Sequence, residues 1–458
     1  MSVRARVDGE AGVRGGGGGG GARAVRRVLL LGSTGSIGTQ AVEVIAHLNA
    51  LAEREERGGR FEVVGLLVNR NAKAAWAQAR ALGVRSLGVS AAELGAEDER
   101  AVAEMIAAGV KVYRGAAAAE RMVREIECEV VLAAMVGASG IGATLAAVEL
   151  GRDVALANKE TLVAAGALVT AAARRSGARL LPVDSEHSGV WQCLVEEGVR
   201  NSDEMSAVCP PMACGWGGVS GVKRIVLTAS GGPFRSLSKE ACYHATVAQA
   251  LKHPTWTMGA KVTIDSASLT NKALELIEAH WLFGVGSDQL GAVIHPQSVV
   301  HSMVEMLDGS VVAQLGAPDM RTPIQLALTY PQRCAGVSKT LDLLRLGTLE
   351  FFEATEERFE ALGLAHRVIR EGGTSGAVFN GASEAAVEAY LEGKVAFGAM
   401  PGLARGAMDA LGVSAVRELA DIHEADAAAR AWVRSAVKGD AGAVVVGGVD
   451  VVREGGRA

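Results

Sequence analysis

The sequence predicts an α/β protein: a doubly wound, mostly parallel sheet first, a second α/β unit in the middle, and a small helical domain at the end. Three observations predict it. The apolar run Val28–Leu31 feeds a glycine-rich turn and then a helical pattern from Ala41 to Leu48. Strand and helix patterns alternate after that as far as Val154–Ala157, the order of a parallel sheet with crossover helices. From about Glu357 strand patterns cease, while Ala382–Leu391 and Gly402–Leu411 have helical periodicity.

Bulk properties agree. A length of 458 residues suits roughly three domains. Hydrophobic residues at 49% and charged residues at 21% describe a soluble globular chain, and a formal net charge of -5 argues against nucleic acid as a partner. We divide the chain into a tail (1–24), a dinucleotide-binding domain (25–180), a catalytic and dimerisation domain (181–330), a linker (331–357) and a helical domain (358–458). The tail carries arginines and the Gly15–Gly21 run, with no apolar stretch suited to a signal peptide. Its scarcity of Ser and its Asp8 and Glu10 also argue against a transit peptide. The six cysteines form no zinc pattern, and Cys209 with Cys214 is the only close pair, so reduced thiols in a cytoplasmic protein are expected. Val130–Val148 is uncharged and long enough to span a bilayer, but Gly137, Ser139, Gly140 and Gly142 break it into a strand, a turn and a helix start. No membrane association is expected.

The first element ends in Gly32-Ser33-Thr34-Gly35-Ser36-Ile37-Gly38. G-x-x-G-x-x-G between a strand and a helix is a variant of the Rossmann-like fingerprint, whose glycines let backbone amides approach a pyrophosphate. The next strand, Phe61–Val68, is followed by Asn69-Arg70-Asn71. An arginine there accommodates a 2′-phosphate where NAD enzymes carry an acidic residue, so the cofactor expected is NADP(H). Strands at Val110–Tyr113, Val130–Met135 and Val154–Ala157 continue the sheet, and Asn158-Lys159-Glu160 opens the helix after the last of them. That edge of a doubly wound sheet faces ligands, which makes Lys159 a candidate substrate contact.

Leu181-Pro182-Val183-Asp184-Ser185-Glu186 ends an apolar run in two carboxylates. If the strand continues through them, Asp184 and Glu186 leave the same face and form a claw. Paired carboxylates either raise a pKa or hold a cation, and an all-oxygen set suits Mg²⁺ or Mn²⁺. A lone tripeptide of this kind also suits a plain surface turn; the downstream residues weigh against that. After the Cys209–Gly221 loop, the strand Ile225–Thr228 runs into Ser230-Gly231-Gly232-Pro233, a turn able to cradle an anion. Lys252–Gly259, with His253 and Trp256, has no periodicity and reads as a lid loop. In Asp265–Trp281, Ser266 or Ser268 is placed to cap a helix with Asn271, Lys272 and Glu275 on one face, a phosphate site with a third carboxylate one turn deeper. Met303–Leu307 and Ser310–Leu315 read as an apolar hairpin across a two-residue Asp308-Gly309 turn, a candidate subunit interface.

Set in order, these stretches resemble the 1-deoxy-D-xylulose 5-phosphate reductoisomerase family from Val28 to about Leu411. The likeness is carried by Gly32–Gly38, Ala157–Glu160, Leu181–His187, Ser230–Arg235, His253-Pro254 with Trp256 and Met258-Gly259, Asp265-Ser266, Asn271-Lys272 with Glu275, His295–Ser298 and Pro318–Arg321. It implies that Asp184, Glu186 and Glu275 hold Mg²⁺ or Mn²⁺. It also implies that Ser230, Ser266, Asn271 and Lys272 take the phosphate of a phosphorylated ketose, with His253 closing from the lid. Lys159 and Ser185 would touch the hydroxylated carbons, and Trp256 would cover them. Thr34, Gly35, Ser36, Ile37, Asn69, Arg70, Asn71, Asn158, Glu160 and Gly259 fall where the family holds NADPH, with Met320 near the nicotinamide. The implied chemistry is a retro-aldol split and rejoining to a branched aldehyde, which NADPH reduces, and the implied assembly is a homodimer. Asn69, Ala229 and Ser188 depart from the family pattern, and none belongs to the carboxylate set. A semialdehyde dehydrogenase would need a cysteine nucleophile at a strand end, which is missing. The alternative of a catalytically silent NADPH-binding relative predicts a lost carboxylate or lid, and both are retained.

Overall fold

The computed structural model describes residues 25–55, 59–196, 221–254, 256 and 258–439. The tail expected over 1–24, the loop over 209–220 and the apolar segment 443–452 lie outside them. Seven parallel strands form the first sheet: β1 (Val25–Leu31), β2 (Arg60–Val68), β3 (Ser86–Val89), β4 (Lys111–Arg114), β5 (Val130–Ala133), β6 (Asp153–Leu156) and β7 (Leu180–Pro182). Their spatial order is β4-β3-β2-β1-β5-β6-β7. Strand β3 has no counterpart in the sequence reading, because four residues of Ser-Leu-Gly-Val carry too little pattern. Val28–Leu31 and Val130–Leu132 are at most 1% exposed, since helices cover both faces of the sheet. Each such side chain contributes about 1.5–3 kcal/mol by leaving water. The uncharged stretch 130–148 resolves into β5, a short 3₁₀ turn (Gly137–Gly140) and the helix Ile141–Glu149. No helix among the described residues is long and apolar enough to cross a membrane.

The second sheet is mixed: β8 (Val222–Ala229), β9 (Leu290–Ile294), β10 (Val300–Met306), β11 (Val311–Leu315) and β12 (Phe352–Glu353), in the order β11-β10-β8-β9-β12. The expected hairpin is β10–β11, but its turn is longer than two residues: Glu305 pairs with Val311, and Met306 N–H donates to Ser310 O across the loop. The segment read as a linker contributes β12, which pairs with β9. Beyond it the described chain is helical, with Glu360–Glu371, Ser375–Leu391, Met400–Leu411 and Leu419–Lys438.

The two sheets are joined by helices. Lys159–Ser176 follows β6 and packs on Thr270–Phe283, and at their crossing a Cβ on Gly166 would lie 2.4 Å from the Trp281 ring. Only glycine permits so close an approach, and it brings the first turn of one helix to the second turn of the other.

Candidate functional site

Between β1 and β5 the strand order reverses, and the crevice beyond their carboxyl ends is where open α/β sheets bind ligands. A cleft of about 650 Å³ opens there, walled by Gly32, Thr34, Gly35, Asn69, Ser90, Met135 and Ser139, with His423 from the C-terminal helix. Gly32 has φ +92°, and a Cβ on it would lie 2.4 Å from Ala134 O. Its N–H and that of Ser33 both donate to Leu67 O, at 2.8 and 3.0 Å, fixing the turn before the helix that starts at Ser36. Ser33 is buried and bonds Gln78, whereas Thr34, Gly35 and Ser36 stay accessible. Arg70 is exposed beside Asn69, and Asn71 caps the next helix by accepting from Ala74 N–H at 3.2 Å. Cleft shape, glycine turn and an exposed arginine after β2 fit a dinucleotide with a 2′-phosphate.

The carboxylates converge, by a route that differs from the strand reading. Strand β7 stops at Pro182, Ser188 N–H donates to Asp184 O at 2.9 Å, and Ser185–Glu196 is a helix. Asp184 therefore precedes that helix and Glu186 lies in its first turn, so the two are brought together by a strand-to-helix turn and not by the shared face of a continuing strand. Oxygens of Asp184, Glu186 and Glu275 lie within 4.8 Å of one another. That separation and an oxygen-only donor set fit Mg²⁺ or Mn²⁺.

Two ammonium groups serve these three carboxylates. Lys159 Nζ pairs with Asp184 and lies 2.8 Å from Glu275 Oε1 and 3.0 Å from Asn271 Oδ1. Lys272 Nζ pairs with Glu275 and lies 2.9 Å from Glu186 Oε1, while Ser185 Oγ donates to Glu186 Oε2 at 2.7 Å. Burial works against both lysine charges, yet the facing carboxylates outweigh it and hold both pKa values above the ordinary range. Burial and the neighbouring Glu275 push Glu186 up to about 7, whereas Lys159 overcomes burial and holds Asp184 low. The set is one positive charge short, which favours an added cation.

The phosphate residues are split. Ser230 Oγ lies 2.9 Å from His253 Nε2, and His253 Nδ1 accepts from Trp256 N–H at 2.8 Å. With Nδ1 accepting, the neutral ring donates from Nε2 to Ser230. Burial and Arg235 keep His253 below the usual histidine pKa. The Ser230 turn abuts Ser266, since a Cβ on Gly232 would lie 3.0 Å from Ser266 O. Asn271 and Lys272, however, turn into the carboxylate set. The single capped helix also breaks in two. Ser266 lies within Ala260–Ala267, Leu269 adopts φ +56°, and Thr270 starts the next helix, with Ser268 Oγ accepting from Thr270 N–H.

Of the expected cofactor residues, Thr34, Gly35 and Asn69 line the cleft; Ser36, Ile37, Arg70, Asn71 and Met320 lie outside its wall, and Gly259 caps the helix Ala260–Ala267. Asn158 and Glu160 are buried and bond each other at 2.8 Å, with Asn158 Nδ2 also donating to Gly137 O. Two residues beside the carboxylates escaped the sequence reading. Glu278 and His187 face each other at 3.4 Å, almost wholly buried, and His187 Nε2 donates to Glu275 O. Glu278 stands three residues after Glu275, so helical spacing was a usable signal.

Comparison with known proteins covers most of the chain. The family model for 1-deoxy-D-xylulose 5-phosphate reductoisomerase matches residues 28–166, and those for its C-terminal domains match 180–283 and 315–432. A relative from Symbiobacterium thermophilum bearing that enzyme's name is 45% identical over 416 residues, 90% of this chain and 97% of its own. Another from Pelotomaculum thermopropionicum is 46% identical over 409 residues, 89% and 97% of the two chains. A solved reductoisomerase from Zymomonas mobilis in complex with NADPH superposes with TM-score 0.76 at 36% identity, covering 91% of this chain and all of that one. A solved DOX-P reductoisomerase holding NADPH, fosmidomycin and magnesium gives 0.77 at 33%, covering 90% and 98%.

Proposed function

The chain belongs to the 1-deoxy-D-xylulose 5-phosphate reductoisomerase family, and on that premise we propose how its residues divide the work. It is an NADP-dependent enzyme of isoprenoid precursor synthesis that rearranges 1-deoxy-D-xylulose 5-phosphate and reduces it to 2-C-methyl-D-erythritol 4-phosphate. The observation that carries this reading is the convergence of Asp184, Glu186 and Glu275 within 4.8 Å beside two lysines. When bound there, Mg²⁺ or Mn²⁺ supplies Lewis-acid polarisation of adjacent oxygens, and NADPH supplies the hydride.

The protein's own part is to bind, orient and exclude water. Asp184, Glu186 and Glu275 hold the cation. Lys159 and Ser185 orient the hydroxylated carbons, with Lys159 placing a full charge where oxygen becomes negative. Ser230, Ser266 and His253 take the phosphate, joined by Asn271 and Lys272 once a cation replaces them at Glu186 and Glu275. Trp256 closes over the substrate, and the Trp256 N–H bond to His253 couples that cover to the phosphate end. Thr34, Gly35 and Asn69 on the cleft wall hold NADPH together with Ser36, Ile37, Arg70, Asn71, Gly259 and Met320 outside that wall, and the buried Asn158–Glu160 pair supports the turn at Gly137. Nothing favours the silent relative.

The division into domains at 25–180, 181–330 and 358–458 draws support from the separate sheets and the helical end, although β7 carries the first sheet to Pro182 and β12 ties the 331–357 segment to the second sheet. Edge strand β11, with Val311 57% exposed and nearby Leu307 71% exposed, supports a homodimer, which light scattering at micromolar concentration tests. The free thiols of Cys128, Cys193, Cys242 and Cys334 support a cytoplasmic setting.

The test is loss of NADPH absorbance with 1-deoxy-D-xylulose 5-phosphate, with and without Mg²⁺ or Mn²⁺, beside Glu275→Gln. Oxidation should need the metal and fall by roughly 100-fold or more in the variant. NADPH binding without consumption by the wild-type protein would overturn the reading.

A further inference from the structure

The helix Ala260–Ala267 stands between the two ligand regions. Gly259, its N-cap, ends the loop that carries His253 and Trp256. Its far end passes through Leu269, held at φ +56°, into the helix bearing Asn271, Lys272 and Glu275. Gly232 of the Ser230 turn packs on its Ser266–Ala267 backbone, where a Cβ would meet Ala267 Cα at 2.8 Å. A motion of this short rigid rod therefore moves the lid, the phosphate turn and the carboxylate helix together.

One side chain fastens the rod to the cofactor side. Lys261 Nζ lies 2.8 Å from Asp265 Oδ2 on its own helix and 3.6 Å from Glu160 Oε1, in the first turn of the helix that starts at Lys159. Glu160 in turn bonds Asn158, which bonds Gly137 O at the end of β5. Glu384, from the C-terminal helices, reaches the same spot: a Cβ on Gly137 would lie 2.9 Å from its Oε1, and Arg430 pairs with it. Burial opposes the Lys261 charge, but Asp265, Glu160 and Glu384 together outweigh it and hold the amine charged. Asp265 Oδ1 is buried with no hydrogen-bond partner, so Asp265 depends on Lys261 for its neutralisation. None of these groups belongs to the carboxylate set around Asp184.

We propose that Lys261 is a positioning residue that couples occupancy of the NADPH cleft to occupancy of the substrate site, by tying the Ala260–Ala267 rod to Glu160 at the cofactor edge. The inference rests on the functional reading above. Coupling of this kind is reciprocal: whatever tightens one ligand tightens the other by the same factor.

The experiment measures the dissociation constant of NADPH by fluorescence titration, with and without saturating fosmidomycin plus Mg²⁺, in wild type, Lys261→Met and Lys261→Arg. Wild type should bind NADPH at least fivefold more tightly in the presence of the second ligand. Lys261→Met should lose that gain, to under twofold, while Lys261→Arg keeps most of it; a role confined to stability would leave the ratio unchanged. Should burying Asp265 without a counter-charge prevent folding of Lys261→Met, Glu384→Gln probes the same junction from the C-terminal side and should halve the gain or more. A wild-type ratio in whichever of these variants folds, or no gain in wild type, overturns the proposal. Turnover of 1-deoxy-D-xylulose 5-phosphate by wild type, measured alongside, separates failure of the coupling from failure of the assigned reaction.

Discussion

Lys159 Nζ lies 2.8 Å from Glu275 Oε1, joining the first turn after β6 to the helix that follows Leu269. The bond crosses from the sheet that builds the cofactor cleft to the helix that supplies the third carboxylate. It forms because Gly166 lets the two helices approach to contact distance at Trp281.

Replacing Lys159 by Met leaves three carboxylates facing one ammonium group. Steady-state kinetics should show kcat/KM reduced by roughly 100-fold or more, in the range for loss of a charge that stabilises a developing oxyanion. The half-saturating Mg²⁺ concentration should stay level or fall, because Lys159 competes with the cation for Asp184 and Glu275. Weaker Mg²⁺ binding in step with the lost rate would instead show that Lys159 serves only to shape the carboxylate set. Lys159→Arg should recover little, since a planar fork does not reproduce a point charge bonded to Asp184, Glu275 and Asn271.

At the cofactor turn, a Cβ on Gly38 would lie 2.3 Å from Gly32 O and 2.6 Å from Ser33 C, both backbone atoms that cannot step aside. Gly38→Ala must therefore push the turn away from the helix. KM for NADPH should rise at least tenfold while KM for the sugar phosphate stays within about threefold, a loss of roughly 1.4 kcal/mol or more in cofactor binding. Equal increases in both constants would mean that the turn shapes more than the cleft.

Much of this was legible in the sequence where chemistry and local order coincide. Gly32–Gly38 sits between a strand and a helix, so its role follows from neighbours in the chain. Asp184, Glu186 and Glu275 were legible as a donor set, but not their geometry, because the turn from strand to helix at Val183 is set by packing on β6, where Val183 N–H bonds Leu156 O. Leu269 could not be foreseen as a left-handed break, since nothing in a leucine favours φ +56°. Lys261 with Glu160 and Glu384 was hidden for another reason: the three lie over 100 residues apart in pairs, and only the tertiary fold brings them to Gly137.

His301 is 7% exposed on β10, and burial first, then the charge of Lys272, push its pKa down to about 4. The unfolded chain titrates this side chain near 6.5. Between those values the unfolded state binds the extra proton, so stability rises with pH through this window. The contribution is fully present above about pH 6.5 and is lost as the pH falls towards 4. At pH 5 the loss amounts to roughly 2 kcal/mol, at 1.36 kcal/mol per pH unit below 6.5. Carboxylates titrate in the same range, so the measurement is a difference: urea unfolding at pH 7.5 and pH 5.0, in wild type and in His301→Gln. The variant loses packing at both pH values, which cancels in the comparison, and its stability should fall by about 2 kcal/mol less on acidification. An identical fall in the two proteins would mean that His301 takes up its proton equally well folded and unfolded, and that Lys272 does not act on it across the site.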